Sequence, residues 1–373
     1  MKLILPYPAE REILTGYIGC YERQIELTTK DSSGFSNETK RNQHRRLQTI
    51  ARGYRQAQIL LTCVDLGVFE ALGNRRATAL EIAEATGTDS RGMALLLNAA
   101  TALGLLEKHG VHFSNSPLAE TCLTSDGAGD ISHSLRLENI FYHRWGHLSD
   151  AVRTGKRPED NRHDEQPEDW IRNFIYGLYN TARPVAPLVA DALALPENQT
   201  VRVIDVGGGH GGYSLALAKR YPLLSSTVYE LPRVVPVALE IIRQAGLADR
   251  VFVQEGNFQK EELGSGYDVA LVFGVLNGES PEGRFTLIKK VFEALNPGGL
   301  VVIRDFLLDT DRAGPEDAAV FALQMLLATD AGGLDTSDDL KHKLQLAGFT
   351  TPYVVPLPDG AGFSLMMTTK PSK

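Results

Sequence analysis

One stretch constrains the fold of this chain more than any other, residues 201–212, which read VRVIDVGGGHGG. Four of its first six residues are apolar and β-branched, which is typical of a strand buried on both faces of a parallel sheet. Five of the next six are glycine, and an apolar helical pattern begins at Tyr213. This order predicts a strand, a turn and a helix whose N-terminus faces a closely approaching ligand.

The glycine loop permits more than one interpretation. Gly207, Gly209 and Gly212 satisfy the G-x-G-x-x-G fingerprint of dinucleotide-binding domains. Asp205 precedes the first glycine by two residues, so the same run also reads D-x-G-x-G-x-G, with Gly211 as its last glycine. A glycine-rich turn without a ligand is a third interpretation, which the flanking strand and helix disfavour. The loop alone leaves the class of cofactor open.

Composition excludes several classes of function. The chain has 373 residues, a hydrophobic fraction of 43% and a formal net charge of -8. This length predicts two domains, and the charge argues against nucleic acid or an anionic membrane as a partner. The three cysteines lie far apart, so neither a disulfide framework nor a cysteine metal site is indicated. Without a secretory segment or an 18-residue apolar run, we expect a soluble, cytoplasmic protein.

Patterning divides the chain into three parts. We expect an N-terminal extension over residues 1–45, a helical domain over 46–195 and an α/β domain over 196–373. Within the helical domain, apolar positions recur at helical spacing over residues 47–72 and predict a core helix with one buried face.

The segment after this helix has the layout of a winged helix. Thr78 and Glu81 predict a capping box at the start of a short helix, and a second helix and a hairpin follow. The second helix offers only Arg91 to DNA, whereas recognition helices need several polar or basic side chains. We therefore interpret it as part of a buried interface.

Residues 131–191 are predicted to be helical and carry two histidines four residues apart, His143 and His147. This spacing would place both on one helix face, as in a two-histidine metal site. The sequence ties no third ligand to them. We therefore predict no metal and interpret them as pocket or core residues beside Tyr142 and Trp145.

Downstream of the glycine loop, a second predicted strand ends at Glu230, where a carboxylate suits the ribose hydroxyls of several cofactors. Strand and helix patterns then alternate, and NPGG (residues 296–299) is expected to be a turn between a helix and a strand. This alternation predicts a doubly wound parallel sheet.

Five segments in this order, DVGGGHG, YELP, EGNF, DVALVFGVL and LNPGGLVVI, resemble class I S-adenosylmethionine (SAM) methyltransferases. NAD-dependent Rossmann domains have no counterpart of the NPGG segment. More narrowly, residues 47–370, including LSDAVRTGK, ATDAGG and LAGFT, resemble small-molecule O-methyltransferases of the plant caffeate and bacterial antibiotic types. The resemblance implies a Rossmann-like SAM-binding domain, preceded by a mostly helical, winged-helix-like domain that forms a homodimer.

The resemblance also assigns roles in binding SAM. The loop glycines would flank its methionine part, Glu230 the ribose hydroxyls and Leu231 the adenine. Asn257 and Phe258 take the place of an Asp-Met pair, and the Asn257 amide still accepts a hydrogen bond from the adenine amino group. The implied cofactor-binding residues are Asp205, Gly207, Gly209, Gly211, Glu230, Leu231, Asn257, Phe258 and Phe273.

The main departure from the family concerns the catalytic base. Family members carry K-x-V-L-H-D-W, whose histidine deprotonates the acceptor, whereas residues 273–279 read FGVLNGE here. Asn277 therefore stands at the place of that histidine, and an amide orients a substrate but does not act as a base. Asp305 and Asp335 correspond to two glutamates that flank the histidine.

Three solutions remain open for the chemistry. The acceptor is an activated carbon or an acidic phenol that needs no base, Asp305 or Asp335 is the base, or His143 or His147 reaches in from the helical domain. Methyl transfer depends strongly on orientation and proximity, so each of these is feasible.

We expect a small hydroxylated aromatic or a related secondary metabolite as the acceptor. The residues predicted to line its pocket are Tyr142, Trp145, Phe174, Leu178, Tyr179, Phe321, Met325 and Thr329. Three other classes remain as alternatives: a SAM-binding family member that does not methylate, a winged-helix regulator that senses SAM, and a nicotinamide dehydrogenase.

Overall fold

The structure of the protein is a computed structural model that describes residues 37–127, 129–158, 168–358 and 363–372. Most of the predicted N-terminal extension, residues 1–36, therefore lies outside the described residues. By its internal contacts the chain separates into two units, residues 1–57 and 58–373.

The helix predicted over residues 47–72 is wrong in its length. Three helices cover this part of the chain: α1 (Asn37–Arg52), α2 (Tyr54–Asp65) and α3 (Val68–Leu72). Gly67 adopts a φ of 69° before α3, and a right-handed helix does not continue through that conformation. Cys63 in α2 is fully buried, whereas Ile50, near the C-terminal end of α1, is 69% exposed. The predicted buried face therefore does not extend into α1.

A small α/β region follows, with its own hydrophobic core. Its elements are β1 (Ala77–Thr78), α4 (Ala79–Thr86), α5 (Ser90–Ala102), β2 (Leu106–His109), β3 (His112–Asn115) and α6 (Pro117–Cys122). The strands form an antiparallel sheet in the order β1-β3-β2. Thr78 and Glu81 form the predicted capping box, in which the Glu81 carboxylate accepts from the Thr78 backbone N–H at 2.7 Å.

Four helices lead to the main sheet: α7 (Ser132–Trp145), α8 (Leu148–Thr154), α9 (Glu168–Ala182) and α10 (Ala186–Ala192). Helices α7 and α9 pack antiparallel. At one end, Ser134 Oγ donates to the Gly177 carbonyl at 2.9 Å, and at the other the Arg144 guanidinium lies over the Trp170 ring. A Cβ on Gly177 would lie 3.3 Å from the Ser134 Cα, so glycine permits this close approach.

The main sheet has seven strands in the order β6-β5-β4-β7-β8-β10-β9. They are β4 (Val201–Val206), β5 (Leu224–Glu230), β6 (Val251–Glu255), β7 (Tyr267–Phe273), β8 (Leu295–Arg304), β9 (Tyr353–Pro356) and β10 (Ser364–Thr369). The first five in this order are parallel, which confirms the doubly wound prediction, and β10 and β9 add an antiparallel edge.

The helices around this sheet are α11 (Gly212–Arg220), α12 (Val235–Gln244), α13 (Pro281–Ala294), α14 (Glu316–Ala328) and α15 (Ser337–Leu346). Val203 and Ile204 in β4 are 1% and 0% exposed and belong to separate core clusters. Because neighbouring strand residues point to opposite faces, both faces of the sheet are covered, as predicted.

The NPGG segment is not a turn that precedes a strand. It lies inside β8, where Tyr267 pairs with Leu295 but Val269 pairs with Leu300, so the additional residues form a bulge. Gly298 takes a φ of 80° there, which explains the glycine. Within the described ranges, no helix is long and apolar enough to cross a membrane.

Candidate active site

The glycine loop lies at the carboxyl end of β4, which pairs with β5 on one side and β7 on the other. Ligands of open α/β sheets bind at such a point, where the strand order reverses. Gly207, Gly209 and Gly211 have φ values of 62°, 48° and 66°, a region that residues with a Cβ rarely adopt. Three glycines of the predicted motif are therefore required by the backbone itself.

Asp205 supports this loop from below. Its side chain is 1% exposed, and its carboxylate accepts from Ser214 Oγ in α11 at 2.7 Å. Burial raises the pKa of Asp205 to about 6. A Cβ on Gly208 would lie 2.5 Å from the Asp205 carboxyl carbon, so the loop has no room for a side chain at this position.

Glu230, at the end of β5, connects to the loop through its carboxylate. One oxygen accepts from the Gly209 N–H at 3.0 Å and the other from the Leu231 N–H at 2.8 Å. Burial raises the pKa of this carboxyl group. The carboxylate lies beside the loop, where the resemblance expects ribose hydroxyls, and Leu231 is 39% exposed beside it.

The remaining predicted cofactor residues occupy the neighbouring strand ends. Asn257 Oδ1 accepts from the Gln259 N–H at 2.9 Å and so shapes the turn after β6. A Cβ on Gly207 would lie 3.7 Å from the Phe258 ring, which places Phe258 next to the loop. Phe273 packs edge-on against Tyr213 of α11, with ring centroids 4.7 Å apart.

Asn277 lies in a short 3₁₀ turn, Leu276–Gly278, after β7, and Asp305 directly follows β8. Because β7 and β8 are parallel neighbours, their carboxyl ends bring these two residues together. Asn277 Nδ2 donates to Asp305 Oδ1 at 2.6 Å, and the Asn277 backbone N–H donates to Oδ2 at 3.1 Å. Burial raises the pKa of Asp305 to about 6, against the opposing effect of these hydrogen bonds.

Asp335 lines the same cleft as Asn277 and Asp305 but has different partners. Arg284 of α13 forms a hydrogen-bonded ion pair with one of its oxygens, and Lys343 Nζ of α15 lies 2.6 Å from the other. The side chains of Arg284 and Asp335 are 5% and 9% exposed. The structure thus brings Asn277, Asp305 and Asp335 together, as predicted. Both carboxylate oxygens of Asp335, however, contact cationic side chains.

Thr329 reaches this cleft through a short connection. Its hydroxyl accepts from the Gly332 N–H at 2.8 Å, and the next residue, Gly333, donates to the Asn277 carbonyl at 2.9 Å. The end of α14 is thereby held beside Asn277.

The predicted pocket-lining residues divide between two helical contacts. Trp145 Nε1 donates to Gln324 Oε1 of α14 at 2.6 Å, immediately before Met325. The ring centroid of Phe321 in α14 lies 4.4 Å from that of Phe306, which borders the cleft.

The second contact is made by α9, which covers the glycine loop. Ile175 lies 3.5 Å from a Cβ built on Gly209, and the Tyr179 ring is 5.7 Å from the His210 ring. On the same helix, Phe174 stacks on Trp170, and Leu178 is 38% exposed.

His143 and His147 do not share a helix face, so this expectation is wrong. Helix α7 ends at Trp145, and His147 precedes the first residue of α8. Both histidines are exposed; Tyr142 packs edge-on against His143, with ring centroids 5.6 Å apart. In the part of the chain that the structure describes, no group of three potential metal ligands occurs.

Two residues of the site were missed by sequence reasoning. Arg284, the partner of Asp335, gave no signal because its partner is 51 positions away. His210 lies within the loop, and its Nδ1 accepts from the Gly212 N–H at 2.8 Å, so its proton is on Nε2. Burial and then the nearby Arg304 lower the pKa of His210 to about 4, which keeps the ring neutral at pH 7.

Comparison with known proteins decides the family. Residues 145–350 match the family model described as the O-methyltransferase domain. The chain belongs to this family. Residues 48–125 of the methyltransferase match a second model, the O-methyltransferase dimerisation domain.

Named relatives agree with this assignment. The 3-hydroxy-5-methyl-1-naphthoate 3-O-methyltransferase of Streptomyces sahachiroi is 31% identical over 76% of this chain and 83% of its own length. PigF with SAH superimposes with a TM-score of 0.79 at 25% identity, over 87% of this chain and 99% of PigF. Human N-acetylserotonin methyltransferase in complex with SAM superimposes with a TM-score of 0.78 at 25% identity, over 92% of this chain and 99% of the human chain.

The methyltransferase is a SAM-dependent enzyme, and the chemistry of its loop fits that cofactor. The positive φ angles permit close approach of a ligand to the backbone, and the Glu230 carboxylate beside them suits a diol. This confirms the predicted fold class, enzyme class and cofactor, and it overturns the dehydrogenase alternative.

Proposed function

We propose that this methyltransferase methylates a hydroxyl group of a small aromatic secondary metabolite, with Asp305 accepting the proton of that hydroxyl and Asn277 holding the Asp305 carboxylate in place. The acceptor class is supported by the relative whose name gives a hydroxylated naphthoate as substrate. It is also supported by the aromatic side chains of Trp145, Phe306 and Phe321 around α14 and the cleft.

The observation that carries the proposal is the way Asp305 holds Asn277. The Asn277 amide nitrogen and backbone N–H both donate to the Asp305 carboxylate. Since the amide nitrogen points at Asp305, Oδ1 points away from it. Among the described residues no group donates to this oxygen, so it is available to accept a hydrogen bond from a second donor group of the substrate, while the reacting hydroxyl gives its proton to Asp305.

Asp305 suits the role of the base better than Asp335 does. A pKa raised to about 6 leaves Asp305 ionised at pH 7 yet makes it a stronger base than an ordinary aspartate. Its neighbours around the cleft donate neutral hydrogen bonds, from Asn277 and from the Phe306 N–H at 2.9 Å. Both oxygens of Asp335 instead contact cations and are not free to receive a proton from a substrate.

When bound, SAM supplies an electrophilic methyl group. Among the residues of this chain, Asp305 removes the proton of the acceptor hydroxyl, and Asn277 holds Asp305 and contacts a second polar group of the acceptor. Proximity and orientation account for a large share of the acceleration in such bimolecular reactions, so the site does not depend on a histidine base.

The proposal is tested by incubating the enzyme with methyl-labelled SAM and a panel of phenols, catechols, hydroxynaphthoates and aromatic enols. We expect a product that carries the label on oxygen, located by mass spectrometry and NMR. A carbon-methylated product would overturn the proposal that a hydroxyl group is the methyl acceptor. Tight SAM binding without transfer to any acceptor would favour a family member that does not methylate.

We also propose that the enzyme is a homodimer that acts in the cytoplasm. The matched dimerisation domain supports the dimer, and so do Leu80, Leu95 and Leu118, which are 57%, 61% and 56% exposed within it. Light scattering after gel filtration should give twice the chain mass, and a monomer at micromolar concentration would contradict this. The domain boundaries expected from the sequence, 46–195 for the helical domain and 196–373 for the SAM-binding domain, stay predictions.

A further inference from the structure

One buried cation takes no part in the proposed reaction. Arg144, the penultimate residue of α7, is 4% exposed. Its guanidinium carbon lies 5.2 Å from the centroid of the Trp170 ring on α9. Its Nη1 is buried and has no hydrogen-bond partner.

Among the described residues, no carboxylate pairs with Arg144. Glu138 on the same helix forms no ion pair with it, and Glu168 and Asp169, which precede Trp170, are exposed. By contrast, the buried Arg284 pairs with Asp335, as described above. A buried charge without a partner destabilises a fold, and a bound anion would compensate for it.

The position of Arg144 connects it to the substrate side of the site. Its neighbour Trp145 is bonded to Gln324 of α14, and the Trp170 ring beneath the guanidinium stacks on Phe174 at 5.0 Å. Further along the helix that carries Trp170, Ile175 contacts the glycine loop. Arg144 therefore lies among the residues predicted to line the acceptor pocket, on the helix pair that covers the cofactor loop.

We propose that Arg144, positioned by Trp170, forms a subsite for the carboxylate of a small molecule bound in the active site. A guanidinium presents paired N–H donors that match a carboxylate. Trp170 is buried against the guanidinium and the Phe174 ring, so it holds Arg144 in position. An acidic group on the aromatic acceptor is the first candidate, which rests on the proposed function. The methionine carboxylate of SAM offers the same chemistry.

The first test measures thermal stability without any ligand. Arg144→Met removes the charge and keeps a similar side-chain length, so we expect the melting temperature to rise by about 2 °C or more. The matched control is Arg172→Met, since Arg172 also stacks on an aromatic ring, Tyr176, but pairs with Glu240 at 2.7 Å. The melting temperature of this control variant should not rise. A fall for Arg144→Met would mean that Arg144 is already paired, for example by an acidic residue of 159–167, and would overturn the proposal.

The second test identifies the source of the carboxylate by calorimetry and thermal shift. Acceptor probes are 1-naphthoate and salicylate, each compared with its carboxamide in the presence of S-adenosylhomocysteine. Cofactor probes are S-adenosylhomocysteine and 5′-methylthioadenosine, which lacks the amino-acid part. If the acceptor is the source, the wild type prefers the acids by about tenfold or more, and Arg144→Met loses this preference.

If SAM is the source, Arg144→Met instead weakens the binding of S-adenosylhomocysteine by about tenfold and leaves the binding of methylthioadenosine unchanged. The proposal is overturned if Arg144→Met changes neither comparison, or if Arg172→Met changes either of them to the same extent. Failure of the proposed function is recognised separately. It would abolish label transfer to neutral phenols in the wild type, whereas loss of the Arg144 subsite for the acceptor leaves that transfer intact.

Discussion

Asp305 and Asp335 line one cleft, and each accepts a bond of 2.6 Å, yet their surroundings are opposite. Asp305 receives neutral donors from Asn277 and from backbone N–H groups, while Asp335 is held between Arg284 and Lys343. The same side chain thus occurs once in a setting that favours uptake of a proton and once in a setting that fixes its charge. The hydrogen-bond partners of each aspartate, rather than the residue type, therefore determine its role in the cleft.

The largest expected effect is on stability and concerns Asp335. Asp335→Asn leaves Arg284 uncompensated in the interior, so the free energy of unfolding should fall by about 3 to 5 kcal/mol. Urea denaturation followed by circular dichroism measures it. Asp305→Asn is the matched control and should destabilise far less, because no cation loses its partner. Equal losses would erase the proposed difference between the two aspartates.

The next effect is on rate and concerns Asp305. If its carboxylate is the base, Asp305→Asn should lower kcat about 10²-fold while the Kd for SAM stays the same. Single-turnover assays with labelled SAM separate the chemical step from binding. Unchanged turnover would show that the acceptor needs no base or takes one from elsewhere.

A smaller effect is expected from pH. With the Asp305 pKa at about 6, kcat should fall about tenfold per pH unit below that value, and the Asp305→Asn enzyme should lack this limb. Stability should move the other way. The folded pKa lies above the ordinary aspartate value of 3.8, so the folded state binds this proton more tightly, and the contribution of Asp305 to stability increases as pH falls from 7 towards 4. A pH profile identical in both enzymes would contradict the assignment.

The smallest effect is expected at Asn277. Asn277→His should change SAM affinity by about twofold at most, since the Asn277 side chain bonds to Asp305 and not to the glycine loop or Glu230. Gly208→Ala is the contrasting variant, because the added Cβ meets the Asp205 carboxyl group and should weaken SAM binding clearly. Isothermal titration measures both. Abolished SAM binding in Asn277→His would mean that residues 273–279 are wrongly aligned with the family.

Sequence patterns predicted those features that depend on neighbouring residues. The strand, glycine loop and helix around Asp205 were predicted because β-branched residues and glycines act locally, and the Thr78–Glu81 capping box follows from a spacing of three. The family resemblance added Glu230 and Asn277, and the structure places both at strand ends around the loop and the cleft.

What escaped prediction depends on interruptions and distant partners. The break between α7 and α8 separates His143 from His147, although their spacing suits one helix. The pairing of Arg284 with Asp335 and the contact of Arg144 with the Trp170 ring arise only when distant segments of the chain pack together. No local pattern reports whether a charged side chain will find a partner.

The Glu230 carboxylate holds the Gly209 and Leu231 N–H groups at once, and so it ties the turn after β4 to the turn after β5. A loop this rich in glycine would otherwise lose much conformational entropy when a ligand arrives. Since the tie already orders it, that entropy is lost during folding and not on association. Cofactor affinity in this enzyme should therefore depend on the stiffness of two linked turns as much as on the atoms that touch the ligand.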